Sequence, residues 1–284
     1  MSDRVQRTSA EGPREVADAS MRTEDDDVAV ALDPVGPLDY LKSAALWGAG
    51  VLWLVPMMAP MTLLNATIGP EKLERISRIY TRTQVALTGS KWRAVVHPDV
   101  DPAGVYLFAQ NHTNHFDHVT LYAATPHFKQ GVELESHFDY PVYGWFMKAR
   151  GTIPVRPGSK GQTPEILARF QAEVTKGHSI LAFPEGTRTP DGRVARFRTG
   201  TFFIARDLGI PIVPVAVTGM YEVMRKGSYL LRPGHTVTVY VEKPIPTIGL
   251  RDDEIPALAA EAQRVVAARV DAYWRDKAER RSRA

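Results

Sequence analysis

The feature that most constrains this chain is a set of short apolar runs, such as residues 105–109, 179–183 and 212–217. Each is closed by Gly, Pro or a polar cluster, which is the pattern of a buried strand. The same reading predicts further strands over residues 93–96, 131–135, 152–155 and 236–241. Helical periodicity falls between several of them, over residues 119–124, 143–148, 164–176 and 199–208. Thr163-Pro164 followed by Glu165 makes a helix start, and Gly177 and Gly209 make helix stops. Alternating strand and helix predict an α/β fold, a single mixed, largely parallel sheet with helices on both faces. Residues 252–281 predict a C-terminal amphipathic helix with Ile255, Leu258, Ala262, Val265, Val266 and Tyr273 on one side. No internal repeat is present.

Ahead of this domain the chain has no charged residue from Ser43 to Pro70. The apolar part of that stretch is close to the ~20 residues that span a bilayer, and Trp47 and Trp53 suit a lipid interface. Pro56 and Pro60 are expected to break or kink a straight helix. Two membrane forms stay open, a kinked spanning helix or a helical hairpin embedded in one leaflet, beside the alternative of a buried helix in a soluble fold. Residues 71–89 read as an amphipathic helix, with Leu73, Ile76, Ile79 and Tyr80 at helical spacing between basic residues. The expected organisation is a membrane-associated helical segment over residues 37–89 and an α/β domain over 90–284. Residues 1–36 lack periodicity, contain Glu24-Asp25-Asp26-Asp27, and are expected to be a disordered tail rather than a secretory signal.

Charge is unevenly placed. Residues 1–36 carry four Arg and nine acidic residues, a net of −5, so the remainder of a chain whose total is +3 stands at +8. A basic body suits anionic partners: a membrane surface, a phosphorylated substrate or nucleic acid. The chain has no cysteine. That excludes a thiol nucleophile, a disulfide framework and any Cys-ligated zinc site.

Two strands end in residues that can do chemistry. After residues 105–109 comes Asn111-His112-Thr113-Asn114-His115-Phe116-Asp117-His118. If the chain turns into a helix near Asn114 or His115, Asp117 folds back to the His112 ring, holds its tautomer and leaves Nε2 as a base. His112, His115, Asp117 and His118 also form a scrambled version of the H-x-H-x-D-H metal cluster of metallo-β-lactamase-like hydrolases, which is the metal-dependent alternative. In a third reading Asn114 or Asp117 simply caps a helix and the histidines are solvated. The second loaded strand end is Phe183-Pro184-Glu185-Gly186-Thr187-Arg188. It offers a carboxylate, exposed backbone N–H groups, a hydroxyl and a cation suited to phosphate. Gly186 lets backbone approach a ligand closely.

Asn111-His112 with Asp117, followed by Phe183–Arg188, resembles the glycerolipid acyltransferase family, whose best-known members are the 1-acylglycerol-3-phosphate acyltransferases. Gly151-Thr152-Ile153-Pro154-Val155-Arg156 lies between these blocks and Ile212-Val213-Pro214-Val215-Ala216-Val217-Thr218-Gly219 follows, in the family's order. The resemblance covers roughly residues 90–245. It implies that His112 is the general base and Asp117 its orienter. The acceptor hydroxyl would attack the thioester of acyl-CoA or acyl-carrier protein, with no bound cofactor and no metal. Glu185, Gly186, Thr187 and Arg188 would belong to the acceptor site, with Arg188 on a phosphate and Arg198 and Arg156 assisting. The implied acceptor is a lysophospholipid, foremost lysophosphatidic acid, at the cytoplasmic face of a membrane, with no nucleic-acid partner. Pro157 stands where the family often has a second basic residue, which leaves glycerol 3-phosphate or a lyso-aminolipid open as acceptors. Direct transfer also accounts for the absence of a G-x-S-x-G elbow. Pro157-Gly158-Ser159-Lys160-Gly161 lacks the P-loop pattern and reads as an exposed turn. A membrane adaptor without turnover is the non-enzymatic alternative.

Overall fold

A computed structural model describes residue 30 and residues 32–156 and 163–283. The turn expected at 157–161, and most of the tail expected over 1–36, lie outside the described residues. Of that tail, Leu32 and Asp33 are held by the body: the Leu32 carbonyl accepts from Arg281, and the Asp33 carbonyl from Arg232.

All seven expected strands form: β1 (Lys91–Val96), β2 (Leu107–Gln110), β3 (Lys129–Leu134), β4 (Ile153–Val155), β5 (Ser179–Ala182), β6 (Ile212–Thr218) and β7 (Thr236–Val241). They make one sheet in the order β1-β7-β6-β2-β5-β3-β4. Strands β6, β2, β5, β3 and β4 are mutually parallel. β7 pairs antiparallel with β6, and β1 joins β7 in parallel. The sheet is therefore mixed and largely parallel, as expected.

Period-two alternation divides the strands between two cores. Leu107, Ala109, Ile180, Ala182, Ile212 and Ala216 face one side. There they meet Phe170 of α5 (Thr163–Thr175), Phe202 of α6 (Gly200–Asp207) and Ile255, Ala262 and Val266 of α8 (Ile255–Ser282). Phe108, Leu181, Val213, Val215, Val217 and Val239 face the other side, against Leu121 of α3 (Asp117–Ala124). Both faces are covered, which is why the central strands read as continuous apolar runs.

Two strand limits moved for one reason. β2 runs on through Gln110 and β3 starts at Lys129, both fully buried. A polar residue ends an apolar run in sequence, yet it stays in the ladder when its side chain finds partners inside. Gln110 Nε2 donates to the Asp117 carbonyl at 2.9 Å, and Lys129 Nζ donates to the His127 carbonyl at 2.6 Å. Burial pulls the Lys129 ammonium down to about 7.

The prolines were expected to break or kink the apolar segment. The segment is not broken into a hairpin: α1 (Pro37–Ile68) is one 32-residue helix with Pro56 and Pro60 inside it. Its length is about 48 Å at 1.5 Å per residue. Contacts at both halves hold it. Trp47 Nε1 donates to the Tyr229 carbonyl at 2.7 Å, and Ser43 Oγ accepts the Leu231 N–H at 2.9 Å. The helix also packs on α4 (Tyr143–Arg150). Much of its apolar surface is nevertheless open, with Leu41 70% and Leu52 78% exposed. The apolar face expected beyond it is split: Leu73 is buried and Tyr80 half-buried, while Ile76 and Ile79 are turned outward. α2 (Glu74–Leu87) buries Glu74, Ser77, Thr81 and Val85 and exposes Ile76 and Ile79.

After β6 the chain turns at Gly219 into the short α7 (Met220–Val223). Gly219 has φ +80°, and a Cβ there would sit 2.2 Å from the Thr236 carbonyl oxygen. Gly219→Ala therefore combines left-handed strain with a backbone clash. It is expected to lower stability by about 2 kcal/mol or more, read as a lowered urea midpoint against the wild-type chain.

Candidate active site

β2 and β5 are parallel neighbours near the centre of the sheet. Their carboxyl ends deliver residues 111–118 and 183–189 to one rim, where open α/β sheets hold ligands. Asp117, the first residue of α3, is completely buried. Its Oδ2 accepts the His112 Nδ1–H at 2.8 Å, the Asn114 N–H at 2.8 Å and the Thr113 N–H. Its Oδ1 accepts the Thr113 hydroxyl at 2.6 Å. The carboxylate that orients His112 is thus itself held by four donors. With Nδ1 donating, Nε2 carries the lone pair. The ring stacks on Phe183 at 4.1 Å and leaves 23% of its side chain exposed, enough to meet a substrate.

The cap expected at Asn114 or Asp117 does not form; Phe116 occupies the N-cap position with no side-chain bond. Asn114 ties down the loop instead. Its Nδ2 donates to the Met220 carbonyl at 2.8 Å and the Met224 carbonyl at 3.2 Å, and its Oδ1 accepts the Phe116 N–H at 2.7 Å. Asn111 exchanges two bonds with the Val217 backbone, at 3.0 and 2.7 Å. These amides carry the loop geometry. Their only sequence signal was polarity directly after an apolar strand.

Glu185 was expected to face the acceptor. In the structure it is buried, its Oε1 accepting the His112 N–H at 2.7 Å and its Oε2 the Ala195 N–H at 2.9 Å. Both oxygens serve backbone, so in this structure Glu185 ties the His112 loop to the segment at Ala195. The Thr189 N–H on the His112 carbonyl, at 2.7 Å, is a second link between the loops. Burial pushes the Glu185 carboxyl up to about 8, against these two bonds, which favour its charged form.

Gly186, Thr187, Arg188 and Arg198 do come together. Gly186 has φ +72°, and a Cβ there would lie 2.9 Å from Arg198 Nε, so only glycine admits that guanidinium. Arg188 Nη1 donates to His115 Nε2 at 2.9 Å. His115 thus props the cation that sequence assigned to phosphate; burial, then Arg188 itself, hold its pKa below the usual histidine range. His118 turns away, edge-on against Tyr122, its pKa also lowered by burial. Arg156 stands past the end of edge strand β4, two strands out from β5, with its fork on Glu135.

The four residues of the metal alternative do not converge. His112 serves Asp117, His115 serves Arg188, and His118 faces Tyr122. Among the described residues, the only grouping with converging metal-ligand atoms is Asp33, Glu222 and His235, where Lys277 already supplies a positive charge to Asp33 and Glu222.

A sheet of this order, carrying these residues at the ends of its central strands, belongs to a known class. The family model for Acyltransferase matches residues 93–218, and the chain belongs to that family. It is 35% identical over 222 residues to 1-acyl-sn-glycerol-3-phosphate acyltransferase alpha of Ovis aries, covering 78% of this chain and 76% of that one. It is 34% identical to the chloroplastic 1-acyl-sn-glycerol-3-phosphate acyltransferase BAT2 of Brassica napus, over 52% of this chain and 42% of that protein. The chain thus spans less than half the length of such plant relatives. Its fold matches the crystal structure of the 1-acyl-sn-glycerophosphate (LPA) acyltransferase PlsC from Thermotoga maritima. The TM-score is 0.71 at 18% identity, over 82% of this chain and 95% of that one.

Glu185→Gln tests the buried link. An amide offers one acceptor oxygen to two N–H donors, so one buried donor loses its partner, at a cost of about 1–3 kcal/mol. The pH dependence has a defined sign. The folded carboxyl titrates near 8 and the unfolded one near its ordinary 4.5, so between these values the unfolded chain binds fewer protons. Wild-type stability therefore falls as pH rises through this window. Urea melts from pH 5 to 8 should show the variant less stable at pH 5 and the gap narrowing toward pH 8; parallel curves would refute the assignment.

Proposed function

We propose that this chain is a membrane-attached O-acyltransferase. It moves a fatty acyl group from acyl-CoA or acyl-carrier protein to the free hydroxyl of a lysophospholipid, foremost 1-acyl-sn-glycerol 3-phosphate, yielding phosphatidic acid. The observation that carries this reading is the His112–Asp117 pair beside Arg188, a cation with no carboxylate partner among the described residues. The relatives are named for 1-acyl-sn-glycerol 3-phosphate, which supports the same acceptor.

His112 Nε2 takes the proton of the acceptor hydroxyl as its oxygen attacks the thioester carbonyl. Asp117 stabilises the imidazolium that forms. The tetrahedral intermediate then collapses with cleavage of the carbon–sulfur bond. The leaving thiolate recovers the proton from His112, so no acyl-enzyme is needed. Arg188 and Arg198 hold the acceptor phosphate near that base, where proximity lowers the barrier.

The open apolar residues of α1 and the outward Ile76 and Ile79 of α2 fit burial in lipid. α1 is long and apolar enough to cross a bilayer, and at about 25 cal/mol per Å² its exposed side chains favour lipid over water. Attachment at the cytoplasmic face would bring a lipid acceptor and a soluble thioester donor to one rim.

His112→Ala is expected to lower turnover of lysophosphatidic acid by ~10²–10⁴ in a membrane-fraction assay run with both donors; near-normal activity would sink the mechanism. Arg188→Ala should raise KM for phosphate-bearing acceptors selectively, and an equal loss on monoacylglycerol would exclude a phosphate clamp. Removing residues 37–70 should move the protein from the membrane pellet to the supernatant, whereas retention in the pellet would place the anchor elsewhere.

A further inference from the structure

The segment leaving β6 reaches both loops of the site. The carbonyls of Met220 and Met224 hold Asn114 on the base loop. Two residues further, Lys226 reaches the other loop, its Nζ donating to Thr187 Oγ1 at 3.0 Å and to the Arg188 carbonyl at 2.9 Å. No strand-end motif contains this lysine; the turn at Gly219 brings it there.

The rim is electrostatically one-sided. Among the described residues, Lys226, Arg188 and Arg198 have no carboxylate partner, and Lys226 and Arg198 both lie against the segment 186–188 that carries Arg188. The carboxylates carried by the same loops are engaged elsewhere: Asp117 on His112, Glu185 on backbone, and Asp191 on the Thr189 hydroxyl and the Arg193 N–H. Like charges gathered without a counterion repel, and an anionic ligand relieves that repulsion. An ammonium has three N–H donors, and two of these are fixed here on neutral oxygens, which leaves one for a ligand. Held this way, the flexible lysine is ordered before the ligand arrives, which lowers the entropy cost of binding.

We propose that Lys226 is a second cation of the acceptor's phosphate site, adding a point charge beside the planar fork of Arg188. The inference rests on a phosphate-bearing acceptor as argued above, and it adds a specificity-determining residue outside the motifs.

The test uses the full chain in detergent, with short-chain lysophosphatidic acid and the matching monoacylglycerol as probes. Binding is measured calorimetrically without donor, and KM and kcat with donor. Lys226→Ala should weaken lysophosphatidic acid binding about tenfold or more and raise its KM in parallel, with little change in monoacylglycerol binding. Lys226→Arg should recover most of the loss. Lys148→Ala, which removes one positive charge from α4, should leave both affinities at the wild-type level. Unchanged lysophosphatidic acid affinity in Lys226→Ala would overturn the proposal while leaving acyl transfer intact. Equal weakening for both acceptors would also overturn it, reducing Lys226 to a loop brace. If the wild type binds lysophosphatidic acid selectively but transfers no acyl group, the enzymatic reading falls and the affinity comparison still decides Lys226. Wild-type binding that ignores the phosphate overturns both.

Discussion

A carboxylate can be taken out of water only where donors replace the water, and the rim of this sheet is built around two such carboxylates. Asp117 collects four donors within its own loop, and that collection shapes the loop. Glu185 collects one N–H from each side of the site, at His112 and Ala195. Removing either side chain would leave buried N–H groups without acceptors, so the position of the His112 ring depends on both. The His112 ring is located by the hydrogen-bonding needs of its neighbours more than by its own contacts.

The same accounting gives the rim its sign. With the negative groups turned inward onto backbone, the outward groups are cationic: Arg188 propped on neutral His115, Arg198 lying over Gly186, and Lys226 arriving from beyond β6. An anionic ligand would bring this surface the charge it lacks. A metal centre would need the histidines to converge, and each has another partner.

The helical segment follows a different logic from the domain it precedes. In the sheet, apolar residues point to a core. In α1 and α2, Leu41, Leu52, Ile76 and Ile79 point away from one, while Glu74, Ser77 and Thr81 of α2 are buried. That inversion is unfavourable in water and favourable where lipid replaces it. Sequence periodicity located an amphipathic helix at α2 but gave no sign of which side would meet the body, because amphipathicity is symmetric between a protein core and a membrane.

How much was legible follows from the range of the interactions. The seven strands and their flanking helices were read from local periodicity, since burial on both faces leaves an unbroken apolar run. The His112–Asp117 pair was readable because five residues and one turn into a helix bring it together. Strand limits at Gln110 and Lys129 were misread because a buried polar side chain looks like a surface one until its partner is known. Glu185, His115 and Lys226 took their roles only in three dimensions. Glu185 lies 73 residues from His112 along the chain, His115 lies 73 from Arg188, and Lys226 lies 38 from Arg188. By itself the sequence determined the class of fold, the pairing of His112 with Asp117, and the two strand ends loaded with polar residues. The tertiary structure alone decided that Glu185 meets the His112 N–H, that His115 meets Arg188 and that Lys226 meets residues 187–188, because hydrogen bonds between distant segments exist only once the strands have paired.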